Sequence, residues 1–178
     1  AENAEVQVPG EAAVGVNAGA FHRIERTWNA GETVVALRLP MPVRIERRYH
    51  NSAAILRGPL VYSLRVGDEW RRIGGPPERG DYEVHPTTPW NYALQLDTEH
   101  PERSLEFERR PIGECPFSPE GAPVIAKARG RRVPEWTIEQ GAAGPLPESP
   151  VRSTEPLEDL TLIPYGCTNL RVTEFPVL

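Results

Sequence analysis

Leu160-Thr161-Leu162-Ile163-Pro164-Tyr165-Gly166-Cys167-Thr168-Asn169-Leu170-Arg171-Val172-Thr173-Glu174-Phe175-Pro176 is the stretch whose reading decides the fold. A run of β-branched and leucine residues meets Pro-Tyr-Gly-Cys, and a second β-rich run stops on proline. Proline and glycine punctuate strands, so the pattern predicts two strands joined by a turn. Residues 160–163 are expected to pair with residues 170–175 as a closing hairpin.

Working outward, the same grammar fills the chain. Thr33-Val34-Val35-Ala36-Leu37-Arg38-Leu39 reads as a strand stopped by Pro40-Met41-Pro42. Val43-Arg44-Ile45-Glu46-Arg47-Arg48-Tyr49 alternates apolar and charged residues, which places Val43 and Ile45 on one face. Residues 53–66 form the strongest apolar region, interrupted at Arg57-Gly58-Pro59 by an expected bulge with Arg57 in a salt bridge. Further strands are expected at 6–8, 21–28, 70–73, 81–84, 93–96, 105–109 and 136–138. The run 124–133 reads as a long strand bulged at Gly130. Residues 110–122 and 141–159 are rich in proline, glycine and serine and read as long loops. About ten short strands with no amphipathic helix predict an all-β, antiparallel β-sandwich, jelly-roll-like, with long Pro/Gly-rich loops. The expected organisation is a sandwich domain over 1–109. Residues 110–178 form a second β segment, packing on the same sandwich or forming a small one of its own.

Composition agrees with this class. The 178 residues include 20 prolines, about twice the usual ~5 % share. Proline lacks a backbone donor and breaks helices, so this density argues against a helical protein. A net charge of −5, with both signs interspersed, gives no basic footprint for nucleic acid. No apolar run approaches the ~18 residues of a membrane span. The opening Ala1-Glu2-Asn3 shows no signal-peptide pattern and reads as a fragment boundary. Cys115 and Cys167 are read as buried free thiols. With His22, His50, His85 and His100 they form no metal-ligand spacing, so no metal and no cofactor are expected.

Pro86-Thr87-Thr88-Pro89-Trp90-Asn91-Tyr92 is the candidate ligand-facing loop. Trp90 and Tyr92 offer π-faces to the C–H face of a sugar, and Asn91 offers both a donor and an acceptor to adjacent hydroxyls. Two structural alternatives stand beside this reading. Trp90 and Tyr92 can serve as core anchors of the following strand, or the loop can pack onto another domain. Trp28, Trp70 and Trp136 are expected as core or half-buried sandwich tryptophans. Glycosidases use two carboxylates roughly 5–9.5 Å apart. Glu46, Asp81, Glu83, Glu114, Glu135, Glu139 and Glu174 occupy no recognisable catalytic frame, and no catalytic residue is assigned. Cys167 lacks a base in its vicinity along the chain and is expected to be structural.

Four runs carry a resemblance. They are Arg26-Thr27-Trp28-Asn29-Ala30-Gly31-Glu32-Thr33-Val34, Leu39-Pro40-Met41-Pro42-Val43-Arg44, Arg57-Gly58-Pro59-Leu60-Val61-Tyr62-Ser63-Leu64 and Leu162-Ile163-Pro164-Tyr165-Gly166-Cys167-Thr168. In order and together they resemble the C-terminal region of the β-L-arabinofuranosidase-like glycoside hydrolases, family 127 and relatives. Residues 122–136 are similar to a branch of the same family. The resemblance implies an (α/α) barrel followed by β-sandwich domains, with a zinc-bound cysteine and glutamate partners in the barrel. No position here matches that catalytic motif, so none of those roles is carried over, and the chain is not expected to be an enzyme on its own. The implied role is a non-catalytic accessory module whose partner is the helical-barrel catalytic domain of a parent chain. The alternative is an autonomous carbohydrate-binding module holding plant-type or other glycans. Self-association through an open sheet edge is a further expectation, whereas nucleic acid and membrane partners are not expected.

Overall fold

The computed structural model describes residues 2–178. The chain is all-β, with three single-turn 3₁₀ segments and no α-helix among the described residues. It divides into two compact units, one ending at Pro42 and the other running Val43–Leu178.

The first unit is a three-stranded antiparallel sheet of β1 (Ala4–Gln7), β2 (Val14–Val16) and β3 (Ala36–Arg38), with β1 central. Cross-strand partners share a face. Val6 pairs with Val14 on one side and Leu37 on the other, and Ala4 pairs with Val16. That face is wholly apolar. The opposite face carries Glu5, Gln7 and Arg38, with Glu5 and Arg38 in an ion pair at 3.4 Å. The strand expected over 33–39 contracts to β3, and residues 21–28 form no strand.

The second unit contains β4 (Val43–Arg47), β5 (Ala53–Arg57), β6 (Leu60–Leu64), β7 (Asp68–Gly74), β8 (Asp81–Pro86), β9 (Tyr92–Leu94), β10 (Glu106–Arg109), β11 (Val124–Arg132), β12 (Ile138–Glu139), β13 (Ala142–Ala143), β14 (Leu157–Pro164) and β15 (Glu174–Phe175). Eight of these form one curled sheet in the order β10-β11-β14-β6-β5-β15, with β4 also on β5 and β9 also on β11. β10 and β11, from either side of residues 109 and 110, pair in this sheet. Two hairpins, β7-β8 and β12-β13, make separate two-stranded ribbons. The concave side of the sheet closes over Ile55, Tyr62, Leu64, Leu94, Leu162 and Phe175. Each buried Leu, Ile or Phe side chain contributes about 1.5–3 kcal/mol of transfer free energy.

β11 shows why the sequence folds this way. Ala126, Ala128 and Gly130 point inward and Lys127 and Arg129 outward, a strict period of two. Gly130 is not a bulge, because it pairs in register with Leu94 and with Glu158. It is glycine because a Cβ there would lie 2.7 Å from both the Ala93 carbonyl and Leu160 Cδ1.

Further expectations are corrected. The closing hairpin does not form: β14 pairs with β11 and β6, whereas β15 pairs with β5. Tyr165–Cys167 is a 3₁₀ turn after which the chain does reverse, but it crosses to the far side of β6 and returns there instead of pairing with β14. Residues 170–173 then run beside β6, where the Leu64 amide donates to the Val172 carbonyl at 2.9 Å. Arg57-Gly58-Pro59 is a hairpin turn between β5 and β6, not a bulge; Gly58 takes φ +54°. Arg57 makes no salt bridge among the described residues but lies over the Phe107 ring at 4.7 Å, a cation–π contact. Of the cysteines, Cys167 is buried but Cys115 is exposed, and both are free. Trp136 is buried as expected, whereas Trp28 and Trp70 are about half exposed.

Candidate functional site

The loop of residues 87–91 joins the β7-β8 ribbon to β9. Its base is fixed by a reciprocal pair: the Thr87 amide donates to the Gly67 carbonyl at 2.8 Å, and the Gly67 amide donates to Thr88 Oγ1 at 2.9 Å. β9 is held in the sheet through β11, with Tyr92 opposite Arg132.

The three residues singled out in sequence have different surroundings. Asn91 is buried. Its amide nitrogen donates to the Val133 carbonyl at 2.9 Å and the Trp136 carbonyl at 3.1 Å, clamping the turn after β11. Tyr92 is buried, and its hydroxyl donates to Glu158 Oε2 at 2.8 Å. Burial first, and then that hydrogen bond, push the Tyr92 phenol up to about 12. Trp90 is half-buried. Its ring meets Trp136 edge to face, with centroids 5.0 Å apart, and Trp136 is itself pinned by Nε1–H donating to the Gly144 carbonyl at 2.9 Å. The structure therefore brings Trp90 and Asn91 together around the Trp136 turn, with the side chain of Trp90 the most open of the three.

Trp90 stands between two hollows. One, of about 430 Å³, is bounded by residues 86–91, Arg132 and residues 136–138. Arg132 is half-buried, and its Nε–H has no hydrogen-bond partner among the described residues. Thr87, Thr88 and Arg132 supply polar groups around the indole, the composition of a site that orients a small polar ligand against an aromatic wall. The other, of about 160 Å³, is a narrower apolar crevice lined by Val66, Val84, Ile138 and Val172. Sequence reading missed Arg132 because the Arg131-Arg132 pair looks like solvated strand residues. Its burial follows from pairing opposite Tyr92, which is a long-range fact.

Cys167 lies in a separate cluster. It packs with Ala122, Ile125 and Ile163, and its thiol contacts the Pro116 carbonyl at 3.3 Å. Burial pushes that thiol up, away from the reactive thiolate. No three His, Cys, Asp or Glu side chains converge as a metal-binding group among the described residues. No helix among them is long and apolar enough to cross a membrane.

No known family profile and no curated protein matches the chain in sequence. Among solved structures it is similar to a family 127 β-L-arabinofuranosidase, Ara127N, from Geobacillus stearothermophilus T6. That likeness is loose, with a TM-score of 0.47 and 22 % identity. It covers 98 % of this chain and 24 % of that one, so this chain spans about a quarter of that enzyme's length.

Proposed function

We propose that this chain is a non-catalytic β-sandwich accessory module of a glycoside hydrolase resembling the β-L-arabinofuranosidases. It supports a helical-barrel catalytic domain, and the Trp90 loop shapes one side of the substrate cleft. The observation that carries this reading is the apolar face of the first unit. Val14 is 52 % and Leu37 59 % exposed on a face with no polar side chain. Val34, Leu39, Phe21 and Trp28 of the same unit are exposed as well. Ala4 and Val6, between Val14 and Leu37, are buried, and exposed apolar side chains gathered in one small unit mark a place where another protein surface belongs. The four sequence runs quoted above supply the family direction.

A second reading, an autonomous carbohydrate-binding module, is favoured by one feature: the half-open Trp90 indole beside the unpartnered Arg132 Nε–H. Sedimentation of this chain with the separately produced barrel of the parent enzyme tests the first reading. The expected outcome is a 1:1 complex that Val14→Ser with Leu37→Ser weakens at least tenfold. Absence of a complex, together with glycan binding abolished by Trp90→Ala, would transfer the assignment to the second.

A further inference from the structure

Another concavity lies on the face of β5 turned away from the core, and none of its lining residues belongs to the Trp90 loop. Antiparallel sheets of this kind present polar side chains on the face turned away from the core. β5 departs from that pattern. Ala53 and Ile55 are fully buried on the core side, yet Ala54 and Leu56 on the other side are only 8 % exposed. They floor a hollow of about 530 Å³, within the size range of small-molecule sites.

Register places the chemistry in this hollow. Ala54 pairs with Glu46 of β4 on one side and with Glu174 of β15 on the other. Directly opposite residues share a face, so the two carboxylates flank a methyl group with their Cα atoms about 10 Å apart, two strand spacings. The next row is Arg44, Leu56 and Val61. Glu174 is built in: its Oε2 accepts from Ser52 Oγ at 3.3 Å, and Ser52 is fully buried. Its Oε1 accepts from Arg48 Nε at 3.4 Å, while Glu46 is paired with Arg44 at 3.4 Å. Tyr165, from the 3₁₀ turn after β14, lines the same hollow and is 45 % exposed. Arg171 sits 4.6 Å from its ring centre and holds it.

We infer that this hollow binds one neutral sugar unit, with Tyr165 as the stacking surface, Glu46 and Glu174 as hydroxyl acceptors and Arg48 as a donor. The electrostatics select the ligand class. An anion would face two carboxylates. A cation would have to displace arginines that already pair with both. A polyol needs neither, because its hydroxyls donate to carboxylates and accept from guanidinium. Its C–H face suits Tyr165 and the floor of Leu56 and Val61. The inference is independent of the docking reading: this site works whether or not a barrel covers the first unit.

The test is a heteronuclear NMR titration of the 178-residue chain with methyl glycosides of neutral pentoses and hexoses. Glucuronic acid and glucosamine serve as charged controls. Saturable shifts are expected at the amides of β5, β15 and Tyr165–Cys167 with a neutral glycoside. Tyr165→Ala and the isosteric Glu46→Gln each weaken binding at least tenfold, whereas Trp90→Ala leaves it unchanged. Both substitutions lie outside the core, and an unaltered spectrum of the free variants verifies folding. No saturable neutral-sugar binding would overturn the inference. So would preference for a charged control, or binding that survives both variants, or binding that is lost with Trp90→Ala. Failure here leaves the sedimentation result, and the docking reading with it, untouched.

Discussion

Ile55 and Leu37 sit at inward positions of short antiparallel strands, yet Ile55 is fully buried and Leu37 is 59 % exposed. The two units obey the same alternation and differ in what lies across from the apolar face. In the second unit the sheet curls, so β5, β6, β14 and β11 face one another and cover their own leucines. In the first, three strands of three or four residues cannot curl over themselves: Ala4 and Val6 of the central strand are buried, but Val14 and Leu37 on the flanking strands of the same face stay open. A region that completes its own core is built for stability. One that leaves Val14 and Leu37 open carries the docking reading proposed above.

The widest separation between the units should appear in core truncations. Leu162→Ala, at a fully buried position between β11 and β6, should cost about 2–5 kcal/mol in urea unfolding. Leu37→Ala should stay within about 0.5 kcal/mol, as surface substitutions do. Equal costs would erase the distinction. A smaller effect concerns Tyr92. Tyr92→Phe removes the hydroxyl that donates to Glu158 and should cost about 1 kcal/mol at neutral pH. The linkage has a definite sign. The folded pKa, about 12, lies above the unfolded value of about 10, so the native state holds the proton more tightly. That contribution is intact below pH 10 and is lost as pH rises toward 12. Wild type should therefore lose stability more steeply than Tyr92→Phe across that window, and parallel curves would contradict the upward shift that burial and Glu158 together impose. The smallest effect on stability belongs to Val14→Ser with Leu37→Ser. It should leave the melting temperature nearly unchanged while reducing binding of an apolar fluorescent dye.

Much of the architecture was legible because period-two alternation reports burial directly. Lys127 and Arg129 alternating with Ala126, Ala128 and Gly130 announce β11, and Val43 and Ile45 announce β4. Pairing was not legible in the same way. Residues 160–163 and 170–175 look like a hairpin, since nothing local reveals that Tyr165–Cys167 carries the chain across to β5. Arg57 was expected in an ion pair, but Phe107, fifty residues on, supplies a π-face instead. Of the loop residues, Trp90 is half-buried, packed against the core on one side and open on the other. Asn91 and Tyr92 have their polar atoms engaged by Val133, Trp136 and Glu158, partners that only the sheet register brings near. The Glu46, Ala54 and Glu174 row was invisible for the same reason: three residues scattered over more than half the chain meet through two ladders.

The central claim is that the apolar face of the first unit is completed by another domain. Hydrogen exchange read by mass spectrometry tests it most directly, comparing this chain alone with the same chain mixed with the parent barrel. The account predicts that peptides spanning β1, β2 and β3 exchange fast alone and slow markedly in the mixture, while β11 and β14 are protected in both. Unchanged exchange in β1–β3, or protection already complete in the isolated chain, would contradict it.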